Sequence, residues 1–220
     1  MRFDKSPDGR GRDSYHHGNL REALIAAALA LIAERGPAGF AFAELARAAG
    51  VSPAAPYRHF ADRNALLAEV ARRGYERFTA ALERAWNGGR PDPVRGLEAC
   101  GRAYLDFARA EPAAYAVMFE SGLSLEQDAE LRLASERAFG VLRGAADAVC
   151  ATMKGANRPP ALMVALHIWA MAHGIASLFV GHGDQARRRL PMSPEDLLEA
   201  GVLIYLQSLG LGISGRSDNP

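Results

Sequence analysis

The sequence predicts an all-α protein: an N-terminal three-helix domain containing a helix-turn-helix, followed by a larger helical bundle. Three observations lead there. No segment alternates apolar and polar residues with the period of two that a half-buried strand needs, whereas apolar residues recur at three- and four-residue spacing throughout. Gly, Pro, Asn, Asp and Ser fall between those runs as starts and stops. The stretch Phe42 to Phe60, FAELARAAGVSPAAPYRHF, reads as a short helix, a tight turn and a second short helix.

Residues 1–14 are polar, with Arg10 and Arg12 between Gly9 and Gly11, and form a flexible arm. Such an arm is either a free terminus or a segment that reaches into a minor groove. Asn19 with Glu22 three residues on is a capping box for the first helix. Its Leu20, Leu24, Ala28, Leu31 and Ile32 keep helical spacing until Gly36-Pro37 stops it. In the helix-turn-helix, Leu45, Ala46 and Ala49 share one face, Gly50 allows the turn and Val51 plugs it. Ser52 is a good N-cap, and Pro53 stands at the first helical position, where its missing N–H costs nothing. Tyr57, Arg58 and His59 end the second helix before Phe60 turns back to the core. Pro56, four residues past the cap, removes the first intrahelical hydrogen bond.

Asp62 caps a long helix running to about Trp86 and ended by Asn87-Gly88-Gly89. Pro91 to Pro93 open the next helix, which reaches Ala110 with Leu97, Tyr104, Leu105 and Phe107 inward. Glu111-Pro112 start a short helix, PAAYAVMFE, rich in aromatics and Met. Glu126 to Met153 form a further helix, broken by Gly155 to Pro160. Pro160 to about Val180 and Ser193 to about Leu211 complete the set, the last start marked by Pro191 and Ser193-Pro194. The domain division is a 1–14 arm, residues 15–66, residues 67–212 and a flexible tail at 213–220.

Composition narrows the class. The chain has 220 residues, 49% of them hydrophobic and 23% charged, which is ordinary for a globular protein with a real core. With a net charge of +1, nucleic-acid affinity must come from local placement of charge and not from bulk basicity. Cys100 and Cys150 lie far apart without a CxxC, which suits a reducing, cytoplasmic compartment and two buried small apolar residues. Met1 to Asn19 is too polar for a signal peptide. Pro160 to Gly183 contains no Asp, Glu, Lys or Arg and has the length of a membrane span. His167, His173 and His182 interrupt it, so it is read as a helix buried between other helices, with no membrane contact.

An enzyme is not expected. Gly210 to Gly215 matches GxGxxG but follows a helix instead of a strand. No GxSxG, no HExxH and no spaced Cys/His set is present, and the adjacent His16 and His17 have no further ligands near them. No cofactor or metal is expected. Regulator and helical binding module are then the two classes to separate; a module without DNA contacts predicts no salt-sensitive DNA binding.

The pattern Ala49-Gly50-Val51-Ser52, Tyr57, His59-Phe60, Arg63, Leu66-Leu67 resembles the DNA-binding domain of the TetR family of bacterial transcriptional repressors. The segment Tyr15 to Arg21 resembles the lead-in of a subgroup of that family and would lie near the DNA backbone. Trp169, Ala170, His173 and Gly174 resemble the signature of a TetR C-terminal domain named for its Trp-His-Gly. The resemblance implies a ligand-binding and dimerisation bundle after the DNA-binding domain. It implies a homodimer built on the last two long helices, a double-stranded DNA operator, and release by a small apolar or aromatic effector. Ala41, Ala55 and Pro56 depart from the family pattern, where Ser or Thr, Thr, and an aliphatic residue are usual.

On that resemblance Tyr57, His59 and Arg63 grip phosphates, and Ser52 adds an anion contact at the helix start. Pro53, Ala54 and Arg58, with Ala55 nearby, are left for base edges; Arg58 serves either a guanine or a phosphate. Tyr104, Phe107, Tyr115, Met118, Phe119, Trp169 and His173 are candidates for the effector pocket, each with core filling as its alternative. Trp169, His173, Gly174, Ser177, Leu178, Leu203 and Leu206 are candidates for the dimer interface, where Gly174, Ala176 and Ser177 permit close helix approach.

Overall fold

Helices account for every regular element among the described residues. The computed structural model describes residues 20–153, 158–179 and 192–210. The arm, the Asn19 cap, Tyr15 to Gly18, His182, Pro191, the tail and most of the GxGxxG run lie outside them. The chain divides into two compact units, Met1–Leu66 and Leu67–Pro220.

The first unit opens with α1, Leu20–Arg35, whose Leu24, Ile25, Ala28, Leu31 and Ile32 are buried. Gly36 ends it with φ +76°, a conformation that costs glycine little. Helix α2, Phe42–Ala48, packs against α1. Its N-cap residue Ala41 has no side chain to offer, and the sequence departs from family usage there. The carboxylate of Glu44 reaches back instead and accepts the Ala41 N–H at 2.9 Å, supplying one half of a capping box. That hydrogen bond, followed by the one from Arg35, holds the Glu44 carboxyl below its usual range.

The second unit is a bundle. Helix α3, Arg63–Trp86, has residues 63–66 in the first unit and the rest in the second; it is capped by Asp62, whose Oδ1 accepts the Ala65 N–H at 2.8 Å, and it ends in a 3-10 turn at Asn87–Gly89. Helix α4, Pro93–Ala110, is capped by Asp92, and α5, Pro112–Glu120, follows after one residue. Helix α6, Ala129–Ala151, starts three residues later than the sequence spacing suggests, because Asp128 claims the cap and accepts the Leu131 N–H at 2.9 Å. Helix α7 is Ala161–Phe179, and α8, Pro194–Ser208, is capped by Ser193. The central helix is α4, which packs against α6, α7 and α8, while α7 lies against both α6 and α8. It buries Leu97, Cys100, Tyr104, Leu105 and Phe107.

Helix α7 has the length and apolarity of a membrane span. Val164, Ala165, Ile168, Ala172 and Ala176 form a face buried in the bundle, and His167 bonds to Tyr205 of α8 at 2.9 Å. Its other face shows Met163, Leu166 and Leu178, the last 65% exposed. Ile204 of α8 is 66% exposed. Leu178 and Ile204 are the two most exposed large apolar side chains among the described residues.

Candidate nucleic-acid interface and interior cavity

In the first unit α2 ends at Ala48, and Gly50 takes φ +69° to turn the chain. The Val51 N–H still bonds back to the Ala46 carbonyl at 2.9 Å, which closes the turn against α2. The residues after this turn correct the expectation of a second regular helix. The Ala55 N–H donates to the Ser52 carbonyl at 3.0 Å in an isolated turn, and only Pro56–Arg58 are helical, in a 3-10 turn. Proline explains this directly. An α-helix starting at Ser52 needs the amide of residue 56 to donate to the Ser52 carbonyl, and Pro56 has no N–H. Ala55 already holds helical angles, φ −64° and ψ −41°, so the backbone path survives without its first rung.

Ser52, Pro53, Ala54, Tyr57 and Arg58 are exposed along this segment, and His59 is half-buried. Tyr57 is 60% exposed, yet its ring stands edge-on to Phe42 with centroids 5.0 Å apart, which fixes the direction of its hydroxyl. Phe60 is buried, with the Arg21 guanidinium over its ring at 5.2 Å. Two expected contact residues are placed differently. Ala55 is 9% exposed, so its methyl faces the protein and not a base. Arg63 is half-buried with its guanidinium over the Phe40 ring at 5.1 Å, and its Nε is buried without a hydrogen-bond partner. The cation is thus held by an aromatic face.

The second unit holds a cavity of about 260 Å³ that opens to the surface beside the exposed Leu125. Tyr104, Met118, Phe119 and Trp169 of the expected pocket line it. Tyr115 and His173 stand behind that wall. The hydroxyls of Tyr104 and Tyr115 both lie 2.9 Å from His173 Nδ1, and Ser177 Oγ is 3.4 Å from the Tyr115 hydroxyl. Phe107 does not reach the cavity; it packs on Phe78 with centroids 5.0 Å apart. Burial pushes the Tyr104 and Tyr115 phenols up and the His173 imidazole down, so all three are neutral near pH 7. It also pushes the Cys100 thiol up to about 12.

Part of the wall has no counterpart among the expected pocket residues. Tyr75, Phe78 and Leu82 of α3 and Ser135 and Phe139 of α6 line the cavity. The spacing of Tyr75, Phe78 and Leu82 was a usable signal, since i, i+3 and i+7 place three large apolar groups on one face of a charged helix. The Tyr75 hydroxyl donates to the Met118 carbonyl at 3.2 Å and ties α3 to α5.

Of the expected interface residues, Leu178 is exposed, and Trp169, His173, Gly174, Ser177 and Leu203 are half-buried. Nothing lies within 4 Å of where a Gly174 side chain would begin. Leu206 is a correction: it is 0% exposed and belongs to the chain's own core, because it shares the inner face of α8 with Leu198 and Val202.

Two family models match. Residues 24–70 match that of bacterial regulatory proteins of the tetR family, and residues 97–204 match the tetracyclin repressor-like C-terminal domain. No curated protein matches the sequence. Among solved structures, a protein of unknown function from Rhodococcus sp. RHA1 is similar at 28% identity and a TM-score of 0.73, over 90% of this chain and 98% of that one. The TetR family transcriptional regulator PfmR from Thermus thermophilus is similar at 21% identity and a TM-score of 0.65, over 84% and 97% of the two chains. The fatty acid degradation regulator FadR from Bacillus halodurans shares the fold at 16% identity and a TM-score of 0.63, over 95% and 100%.

Proposed function

We propose that this chain, which belongs to the TetR family of DNA-binding transcriptional regulators, is a repressor that holds its operator as a homodimer and lets go when a small molecule enters the second unit. The observation that carries the DNA side is the exposed run Ser52, Pro53, Ala54, Tyr57 and Arg58 after the Gly50 turn. Arg58 makes no ion pair with any described residue, so its guanidinium is free for a phosphate or a guanine. Tyr57 and His59 hold phosphates that set position, and Arg63 reinforces them from above Phe40. Two such segments roughly 34 Å apart meet successive major grooves of a palindromic site.

The uncovered face of α7 and α8 supports the dimer. Met163, Leu166 and Leu178 with Ile204 are the apolar surface that a second copy covers, and Gly174 lets its backbone approach. The protein acts in the cytoplasm, where its operator is.

Release uses α3. This helix begins at Arg63, beside the DNA-contacting segment, and carries Ala71, Tyr75, Phe78 and Leu82 to the cavity wall. A ligand that fits the cavity better in one placement of α3 than in another shifts the population toward that placement. The test is a titration of fluorescent operator DNA with the chain and with its Tyr57→Ala and His59→Ala variants. Both variants are expected to bind every sequence more weakly. Unchanged affinity in both would overturn the phosphate assignment.

A further inference from the structure

The wall of the cavity carries information about charge, size and polarity that the presence of a cavity alone does not. Among the described residues none that lines it is Asp, Glu, Lys, Arg or His. Six aromatic rings surround it: Tyr75, Phe78, Tyr104, Phe119, Phe139 and Trp169. An ionised ligand group would lose its water there and meet no counter-charge, which is a severe penalty in an apolar interior.

Size follows from volume. An apolar cavity of about 150 Å³ accommodates one benzene, with its six carbon atoms. At the same density, about 260 Å³ holds roughly ten non-hydrogen atoms.

Polarity follows from counting hydrogen bonds. Two hydroxyls, those of Tyr104 and Tyr115, converge on the single Nδ1 of His173 at 2.9 Å each. An unprotonated ring nitrogen has one lone pair for two hydroxyl protons, and a protonated one has none. The Tyr115 proton has Ser177 Oγ as a second choice at 3.4 Å. Tyr104 is the member of the cluster that borders the cavity. The Trp169 indole N–H takes one lone pair of its oxygen and leaves one open, and its proton is shared between the contested nitrogen and the Tyr115 oxygen. A ligand hydroxyl, which both donates and accepts, satisfies Tyr104 in either arrangement.

We infer that the ligand of this cavity is an uncharged single-ring aromatic alcohol or alkylphenol of about ten non-hydrogen atoms, its hydroxyl on Tyr104 and its hydrocarbon among the surrounding rings. The inference rests on the cavity being the effector site and adds the chemical class that the site accepts. It excludes free carboxylates, phosphates and amines of the same size.

Calorimetric titration of the full chain at pH 7 with 4-propylphenol and with 4-methylbenzoate, which has the same number of non-hydrogen atoms, tests it. The phenol is expected to bind, and the benzoate to bind at least about a hundredfold more weakly. Equal or tighter binding of the benzoate overturns the inference, as does binding of neither. Ser135→Leu and Ala172→Ile each enlarge one wall residue on a different helix. Loss of phenol binding in whichever variant keeps the wild-type unfolding midpoint supports the cavity as the site, and full retention in both overturns it. Operator titration with and without the phenol separates this from the effector reading. Phenol binding that leaves operator affinity unchanged removes effector release and leaves the ligand class standing.

Discussion

At the scale of single residues, Arg58 decides how much of the DNA contact is charge and how much is recognition. It is exposed and unpaired among the described residues. Arg58→Ala is expected to weaken operator binding and reduce the slope of log K against log salt by about one. A slope equal to that of the wild type contradicts the contact. A loss equal on all sequences assigns Arg58 to phosphate, and one confined to a single operator position assigns it to a base. His173 makes a second prediction at this scale. Burial lowers its pKa in the folded chain, so the folded state resists protonation more than the unfolded state does. Its contribution to stability is therefore complete above the unfolded value, about 6.5, and is lost as pH falls through the lower folded value. Between pH 7 and pH 5 the unfolding midpoint of the wild type should fall further than that of His173→Gln. Parallel curves would contradict the assignment. These two residues were legible to different degrees. Arg58 stands out in the sequence because no other Arg or Lys lies between Arg47 and Arg63. The role of His173 depends on Tyr104 and Tyr115, 69 and 58 residues away along the chain, and no local pattern joins them.

At the scale of elements, local chemistry carried most of the fold. Asp62, Asp92 and Ser193 cap the helices that follow them, through bonds of 2.8 to 3.0 Å. Each is visible in the sequence because a short polar side chain precedes an apolar run. Three features were not, the first being the Asp128 cap of α6, which lies inside a run that reads as helix from Glu126. Ala41 looked uncapped because the compensating group, Glu44, lies inside α2. Pro56 was legible as a lost hydrogen bond, but the burial of Ala55 beside it depends on the packing of the first unit and on no local pattern. Restoring the donor tests that account. Pro56→Ala returns an N–H that can donate to the Ser52 carbonyl, and the new amide at position 56 is expected to be protected from hydrogen exchange. Exchange at the rate of an open loop would show that something other than proline breaks this helix. Helix α8 teaches the complementary lesson. Its Leu203 and Leu206 look alike in sequence, yet Leu206 is buried and Leu203 half-buried. Only the positions of α4 and α7 distinguish them.

At the scale of the whole molecule, a single copy leaves Leu178 and Ile204 about two-thirds exposed, and the regulator reading needs two copies. Gly174→Leu places a side chain where the chain itself has nothing within 4 Å. The variant should fold with a near-wild-type midpoint but sediment as a monomer or a weakened dimer, and Ile204→Arg should behave likewise. A fully dimeric profile for both would place the interface elsewhere. The central claim is that this chain recognises particular DNA sequences, and the most direct measurement is titration of the purified chain against fluorescent DNA from its own upstream intergenic region at several salt concentrations. Tight, sequence-selective binding that weakens steeply with salt is the predicted result. Absence of binding even at low salt would contradict it.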